Sequence, residues 1–397
     1  MDRSELFASY AAHVNKGKID VYTKYGYDAV FGRREGARVW DTYTDRSWIN
    51  CHVNGGTYNL GHRNPTVLAA VQSALDRCDI GNHHLPAPGR VELAERLSAT
   101  TGGLLPGVVY GVGGGEAIDL AIKVARAATG RPGIVSASGG YHGHTGLALA
   151  AGDAKYRDAF GPNPPGFSQV PFNDVTAMDG AVTEETAAVL LEPVPATLGM
   201  PIPDTDYLPA VERICRDRGA KLIIDEVQTG LGRTGRIWAF QHWDLEPDAL
   251  VTSKGLSGGI YPISATLMTR ELHEIFDTEP FIHISTFGGA EPGTAAGLAV
   301  LDVIEAPGFL ERVLDLEGRF VDGLAGMPFA FRHLGLMMAL AFPVADAGMM
   351  AMKLLFDAGL FTTYAGNDTS VLQFLPPLII SDDEAAEVIE IVRSVFG

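Results

Sequence analysis

Cysteine is scarce in this chain of 397 residues: Cys51, Cys78 and Cys215 are the only three. An odd number of widely separated thiols builds neither a disulfide framework nor a zinc knuckle, so a reducing cytoplasm is the expected setting. Long apolar runs are missing too. Apolar runs such as residues 188–191 and 222–224 are strand-length and fall far short of the ~20 residues that cross a bilayer. Residues 1–10 carry Asp2, Arg3 and Glu5 and lack the apolar stretch of a secretory signal, so export is not expected. Basic residues are in the minority: 30 Lys and Arg against 48 Asp and Glu leave a formal charge of -18. Such a surface repels a phosphate backbone and an anionic membrane, which argues against nucleic-acid and membrane partners. It does not forbid a small anionic ligand, because a local nest of backbone N–H groups outweighs distant, screened charges. There is no internal repeat, no low-complexity tract and no flexible Gly/Ser linker.

What is present is core-forming material: 46% of the residues are apolar, enough for two or three units. Apolar runs at residues 108–112, 134–137, 189–191, 222–224 and 249–252 each stop at a Gly-rich or polar turn. Their apolar residues do not alternate with polar ones, the pattern of strands covered on both faces by helices. Helical periodicity lies between them, at residues 116–129 and 207–218. The recurring order of strand, helix and strand predicts an α/β layer on a mostly parallel sheet. From Pro292 the character changes to an Ala-rich helix through Ile304, then amphipathic helices and short strands ending at residues 382–396. The expected division is an N-terminal segment, 1–50, packing with a small C-terminal domain, 290–397, around a large domain, 51–289.

In open α/β sheets, ligands sit beyond the carboxyl ends of the strands. After the run at 108–112 come Gly113, Gly114 and Gly115, followed by a helix predicted to open at Glu116. Free N–H groups at the positive end of a helix make a phosphate cradle, although a Gly-rich turn alone is explained as well without a ligand. After 222–224 comes Asp225, a carboxylate delivered from a buried strand that calls for a buried cation. After 249–252 come Ser253, Lys254 and Gly255, which makes Lys254 a candidate nucleophile. A lone lysine after a strand is usually a surface charge, and a lone aspartate usually a cap or turn residue. Both at successive strand ends, near a phosphate cradle, match one ligand with a phosphate, a protonatable ring nitrogen and an aldehyde. Pyridoxal phosphate has those three groups. Tyr141, following the run at 134–137, would stack on its ring, and Val227 would pack on the opposite face.

The sequence resembles the class III, or ω-, aminotransferases of fold type I, which include ornithine, 4-aminobutyrate and putrescine aminotransferases. The run LIIDEVQTGLGRTG at 222–235 is similar to that family's signature, and VTSKG at 251–255 to its Schiff-base lysine segment. Further matches are Tyr141-His142-Gly143, Gly61-His62 with Pro65, Glu192-Pro193, STFGG at 285–289 and Leu375-Pro376-Pro377-Leu378, so the resemblance spans nearly the whole chain. It implies a fold type I transferase with a mostly parallel large domain and a smaller α+β domain. It implies a ping-pong aminotransferase acting on an amine or amino acid donor and a carbonyl acceptor. Lys254 would hold pyridoxal 5'-phosphate as a Schiff base and shuttle the proton, while Asp225 keeps the pyridine nitrogen protonated. Gln228 would hydrogen-bond the ring hydroxyl, Gly114 and Gly115 would hold the phosphate, and Glu192 would lie near the ring. Thr286 would reach the phosphate from a neighbouring subunit, making a homodimer part of the site. The physical reasons stand apart from the family. A protonated ring nitrogen is an electron sink for the carbanion formed at the substrate carbon, and a carboxylate stabilises that protonation. Only a primary amine both forms a Schiff base and then acts as a base. Aminomutases, racemases and a decarboxylase share the fold, and the motifs do not separate them. A nicotinamide oxidoreductase is the remote alternative, since Gly111-Val112-Gly113-Gly114-Gly115 puts Glu116 where G-x-G-x-x-G needs glycine.

Three departures from the family pattern bear on function. Gly113-Gly114-Gly115 replaces the usual Ser-Gly-Thr or Ser-Gly-Ser, losing a hydroxyl but keeping the N–H donors. Gly288-Gly289-Ala290-Glu291 replaces Gly-Gly-Asn-Pro. Gln373 stands where many members place an arginine that grips a substrate carboxylate. The expectation is a substrate without an α-carboxylate, or a carboxylate held elsewhere, for instance by Arg332. Tyr22, Tyr25, Tyr27, Phe31 and Trp40 form an aromatic-rich entry segment suited to line a substrate pocket, a residue type that more often simply packs. His142, His144 and the adjacent His83-His84 lack the cysteine or carboxylate partners of a metal site, so core or surface roles and no metal are expected.

Overall fold

The computed structural model describes residues 1–81 and 84–397, so His83 lies outside the described residues. The apolar runs become strands of one seven-stranded sheet. In chain order these are β1 (Gly107–Gly111), β2 (Gly133–Ala137), β3 (Phe167–Val170), β4 (Thr186–Leu191), β5 (Lys221–Asp225), β6 (Ala249–Thr252) and β7 (Ser264–Met268). Across the sheet the order is β1-β7-β6-β5-β4-β2-β3. Strands β2 to β6 pair in parallel. Strand β7 runs antiparallel to both β1 and β6. The mostly parallel sheet is therefore present with one reversed strand. Strands β3 and β7 escape sequence reading because Ser168 and Gln169 in one, and Ser264 and Thr266 in the other, interrupt the apolar run.

Burial on both faces explains the unbroken apolar pattern. Val189, Leu191, Leu222 and Ile224 point into one core, whereas Ala188, Leu190, Ile223 and Val251 point into the core on the opposite face. Helix α1 (Gly114–Thr129) covers the second face with Ile118, Ala121, Ile122 and Ala125. Helix α2 (Tyr207–Arg218) covers the first with Tyr207, Leu208, Val211 and Cys215, and stops where Gly219 adopts a left-handed φ of 66°.

Helix α3 (Glu291–Ile304) opens the expected C-terminal unit. Its Ala296, Val300, Leu301 and Ile304 lie in the core of the seven-stranded sheet, so the change of packing partner falls after Ile304. Two smaller sheets follow. Phe31–Glu35, Arg38–Asp41 and Ser47–Asn50 form one with Leu360–Phe361, which pairs in parallel with Ser47–Asn50. Backbone hydrogen bonds thus join the N-terminal segment to the C-terminal part of the chain. Ala330–Leu334, Met337–Ala341, Asp368–Phe374 and Thr363–Ala365 form the other, wholly antiparallel, sheet. A shared core containing Ile49, Phe320, Phe374 and Val388 unites both with helix α4 (Asp382–Phe396), opened by a Ser381/Glu384 capping box.

Arg233, from the signature run at 222–235, ties the large sheet's loops to this smaller part. Its fully buried guanidinium donates to Asn59 Oδ1 at 2.6 Å, Leu336 O at 3.0 Å and Pro376 O at 2.7 Å. Burial lowers its pKa to about 9. Among the described residues, no single helix is long and apolar enough to cross a membrane.

Candidate active site

Strands β2, β4, β5 and β6 of the parallel core are each followed by residues that meet in one cleft. A cleft of about 160 Å³ is lined by Gly114, Gly115, Tyr141, Glu192, Asp225, Val227, Gln228 and Lys254, all singled out in the sequence, together with His142. Thr286 is exposed and does not line this cleft of its own chain.

At one end is the glycine turn. The helix opens at Gly114, two residues before the predicted Glu116, with Gly113 as an extended cap and the first helical bond running from Ala117 N–H to Gly113 O. The N–H groups of Gly114 and Gly115 therefore belong to the first turn, where no intrahelical acceptor exists. Side chains do not fit here. A Cβ on Gly114 would lie 3.2 Å from Val227 Cγ1, and one on Gly115 would lie 2.8 Å from Thr145 Oγ1. Glu116 folds back to accept the Val112 N–H at 2.6 Å, so its carboxylate is occupied away from the glycines.

At the other end, Asp225 is 4% exposed. Its Oδ1 accepts the Val227 N–H at 3.0 Å, and its Oδ2 lies 2.8 Å from His142 Nδ1. Burial alone would strip His142 of its proton, but the hydrogen bond and charge of Asp225, aided by Glu192, hold its pKa above the ordinary value. His142, expected from sequence to have a core or surface role, is buried and is the hydrogen-bond partner of Asp225. The available signal was its place beside Tyr141, after the end of β2. The Tyr141 N–H donates to Glu192 Oε1 at 3.0 Å. Burial raises Glu192 to about 7, with His142 opposing and Asp225 reinforcing the shift.

Between the two ends lies Lys254. Its Nζ donates to Gln228 Oε1 at 3.0 Å. Burial lowers its pKa, while Asp225 and Glu192 pull the other way. Its φ of 31° lies in the left-handed region, a strained conformation of the kind that collects at functional sites. A loop the sequence did not single out presses on this amine. Val53, Asn54 and Gly55 all have positive φ, and a Cβ on Gly55 would sit 3.4 Å from both Lys254 Nζ and Gln228 Oε1.

The residues fit pyridoxal phosphate. The glycine turn supplies donors for a phosphate, Asp225 a buried acid for a ring nitrogen, and Lys254 a buried amine. The Gln228 Nε2 group is buried without a partner, which leaves a donor for a ring hydroxyl. Among the described residues, no group of three or more His, Cys, Asp or Glu side chains is placed to hold a metal ion.

A second, larger cleft of about 530 Å³ is lined by Tyr22, Tyr27 and Phe31, with His52 and Asn54 also in its wall. Tyr25 and Trp40, grouped with them in the sequence, do not: Lys24 lies over Tyr25 and Arg33 over Trp40. Gln373 is buried in the antiparallel sheet opposite Ala339 and Thr363 and lines neither cleft. Arg332, the suggested carboxylate partner, is engaged instead with Gly199 O at 2.5 Å.

The family model described as aminotransferase class-III matches residues 22–396. An uncharacterized aminotransferase of Archaeoglobus fulgidus is 46% identical over 395 residues, covering 96% of this chain and 91% of that protein. A putrescine aminotransferase of Pectobacterium atrosepticum is 33% identical over 414 residues, covering 99% and 88%. Among solved structures, an ornithine aminotransferase of Toxoplasma gondii, with partial occupancy of pyridoxal phosphate at its active site, superposes with a TM-score of 0.91. It is 26% identical, covering 100% of this chain and 94% of that one.

Proposed function

The chain belongs to the class-III aminotransferases, and from that premise we propose that Lys254 is the lysine that holds the cofactor and moves the proton. The reaction is transfer of an amino group from an amine or amino acid to a carbonyl acceptor by a ping-pong mechanism, with pyridoxal 5'-phosphate as cofactor. No observation favours an aminomutase, a racemase, a decarboxylase or a nicotinamide oxidoreductase. Bound in the cleft, the cofactor supplies a carbonyl for the substrate amine and an electron sink for the carbanion. Gly114 and Gly115 bind the phosphate through their N–H groups. Tyr141 and Val227 enclose the ring, and Glu192 positions Tyr141 through its backbone. Asp225 holds the proton on the ring nitrogen, and Gln228 donates to the ring hydroxyl. Lys254 Nζ, with its pKa lowered by burial, exchanges with the substrate amine and then carries the proton as a base. The observation that carries this reading is a buried amine held 3.0 Å from Gln228 in the same cleft as Asp225 and the glycine turn.

The donor in this reading is an amine whose reacting carbon bears no carboxylate. Gln373 is neutral, Arg332 is engaged with Gly199, and the relative named putrescine aminotransferase carries an amine in its name. The working form is a homodimer in the cytoplasm, with Thr286 reaching the phosphate of the partner's site. Phe281, Ile282, Ile284 and Phe287 around Thr286 are 67%, 58%, 49% and 55% exposed, an apolar patch that a second copy would cover, and Cys51, Cys78 and Cys215 are free thiols. We propose the division 1–50, 51–289 and 290–397, with the first helix of the last unit packed on the large sheet.

The test is borohydride reduction of the yellow holoenzyme followed by peptide mapping. The cofactor should be fixed to Lys254, and Lys254→Ala should lose about 10²- to 10⁴-fold in turnover. Label on any other lysine would refute the assignment.

A further inference from the structure

Tyr141 lines the cofactor cleft, and two rings that do not line that cleft meet it edge-to-face. His144 lies 5.2 Å away, centroid to centroid, at an interplanar angle of 72°, and Tyr156 lies 5.6 Å away at 85°. His144 and Tyr156 meet each other at 5.5 Å and 89°, so the three rings close a triangle of edge-to-face pairs. Tyr156 is in turn braced from the C-terminal antiparallel sheet. Its Oη would lie 2.5 Å from a Cβ on Gly366, in the turn between Thr363–Ala365 and Asp368–Phe374, so the glycine leaves room for the phenol. Lys155 Nζ donates to Gly366 O at 2.6 Å. Asn367 donates through Nδ2 to Gly139 O and through its N–H to Thr197 O, both at 2.8 Å. Thr197 lines the cleft with Tyr141 and donates its hydroxyl to Gly139 O at 3.1 Å. The turn is thereby fastened to the loop that carries Tyr141, with Tyr156 wedged between them. Asp153 caps the short helix Ala154–Arg157 by accepting the Lys155 N–H, and Arg157 donates to Ala150 O and Gly152 O, which fixes the wedge.

We infer that Tyr156 is a positioning residue of the active site: braced by Gly366, it holds the Tyr141 ring in the orientation that stacks on the cofactor. This rests on the assignment of Tyr141 to the cofactor ring and deepens it. The bond from the Tyr141 N–H to Glu192 fixes the backbone but leaves the two side-chain torsions of Tyr141 free. Edge-to-face partners restrict those torsions, and a ring supported by rigid neighbours is held to within about 10–20° of its working orientation.

The experiment measures the Kd of pyridoxal 5'-phosphate by tryptophan fluorescence and the circular dichroism band of the bound cofactor, which reports how its ring is held, alongside steady-state kinetics. Tyr156→Ala should raise Kd by about 3- to 10-fold, the worth of an aromatic pair, and diminish the dichroic band, with kcat falling by a similar factor. Tyr156→Phe keeps the ring and should stay within about twofold of wild type on each measure. Gly366→Ala gives a second route that leaves every aromatic side chain in place. Its Cβ should displace the phenol and weaken cofactor binding in the wild-type background, yet have little effect in Tyr156→Phe, where the nearest ring carbon would lie 3.9 Å away. The inference is overturned by an unchanged band and Kd in folded Tyr156→Ala, by a harmless Gly366→Ala, or by a Gly366→Ala loss as large in Tyr156→Phe as in wild type. Failure of the Tyr141 assignment is separate: Tyr141→Ala would then bind the cofactor as tightly as wild type and show the same band.

Discussion

His142 Nδ1 lies 2.8 Å from Asp225 Oδ2, and both side chains are shut away from solvent. A buried carboxylate without a cation is costly, and the imidazolium removes much of that cost while fixing the orientation of the acid. The pair therefore fixes how Asp225 is aimed into the cleft.

Replacing His142 tests this positioning role. His142→Ala should lower kcat by about 10- to 100-fold, the loss of one hydrogen bond to a charged group, with KM nearly unchanged. His142→Asn, whose amide can still donate, should recover part of the rate. The measurement is steady-state kinetics across pH together with the absorption band of the bound cofactor. An unshifted band and pH profile in His142→Ala would reduce His142 to packing.

Glu226, next to Asp225, should make stability depend on pH. Burial raises its pKa to about 7, opposed by its bonds to Thr229 and the Phe240 N–H. The folded value lies above the ordinary 4.5, so the fold favours the protonated form. Its contribution is complete below about pH 4.5 and is lost as pH rises through 7, by about 3 kcal/mol at the upper end. Glu226→Gln keeps an acceptor for the Phe240 N–H and removes the titration. Urea unfolding should show it more stable than wild type at pH 8 and nearly equal at pH 5; equal differences at both values would contradict this.

The exposed patch around Thr286 should be what a second copy covers. Phe287→Asp places a charge where an apolar ring is 55% exposed in the single chain. Burying an unpaired charge at an interface costs several kcal/mol, so the dimer dissociation constant should rise by at least about 100-fold. Sedimentation should show halved mass at micromolar concentration, and turnover should fall as monomer accumulates, since Thr286 would no longer reach the partner's site. A variant that stays dimeric would place the contact elsewhere.

Local patterns were enough to read much of this protein. The helix at Tyr207–Arg218 falls where apolar periodicity put it. Asp225 and Lys254 were legible because a buried parallel strand announces itself as an unbroken apolar run, and whatever follows it stands at the mouth of the sheet. Strands β3 and β7 were not legible, because polar residues, exposed or half-buried in β3 and buried in β7, interrupt their apolar runs. The opening of α1 was misplaced by two residues because glycine, poor in a helix interior, occupies a first turn where its missing side chain is required.

The sequence by itself determined the α/β class, the strand-end placement of the acid and the amine, and the glycine turn, since each is written within a dozen neighbouring residues. Only the tertiary structure decided that His142 serves Asp225 across 83 positions, that Arg233 joins Asn59 to Leu336 and Pro376, and that Arg34 shares a cleft with Phe356 and Phe361. The reason is physical: periodicity and capping act over a few turns of chain. Contacts between residues tens or hundreds of positions apart depend on strand order and on which faces are buried together, and no local pattern encodes either.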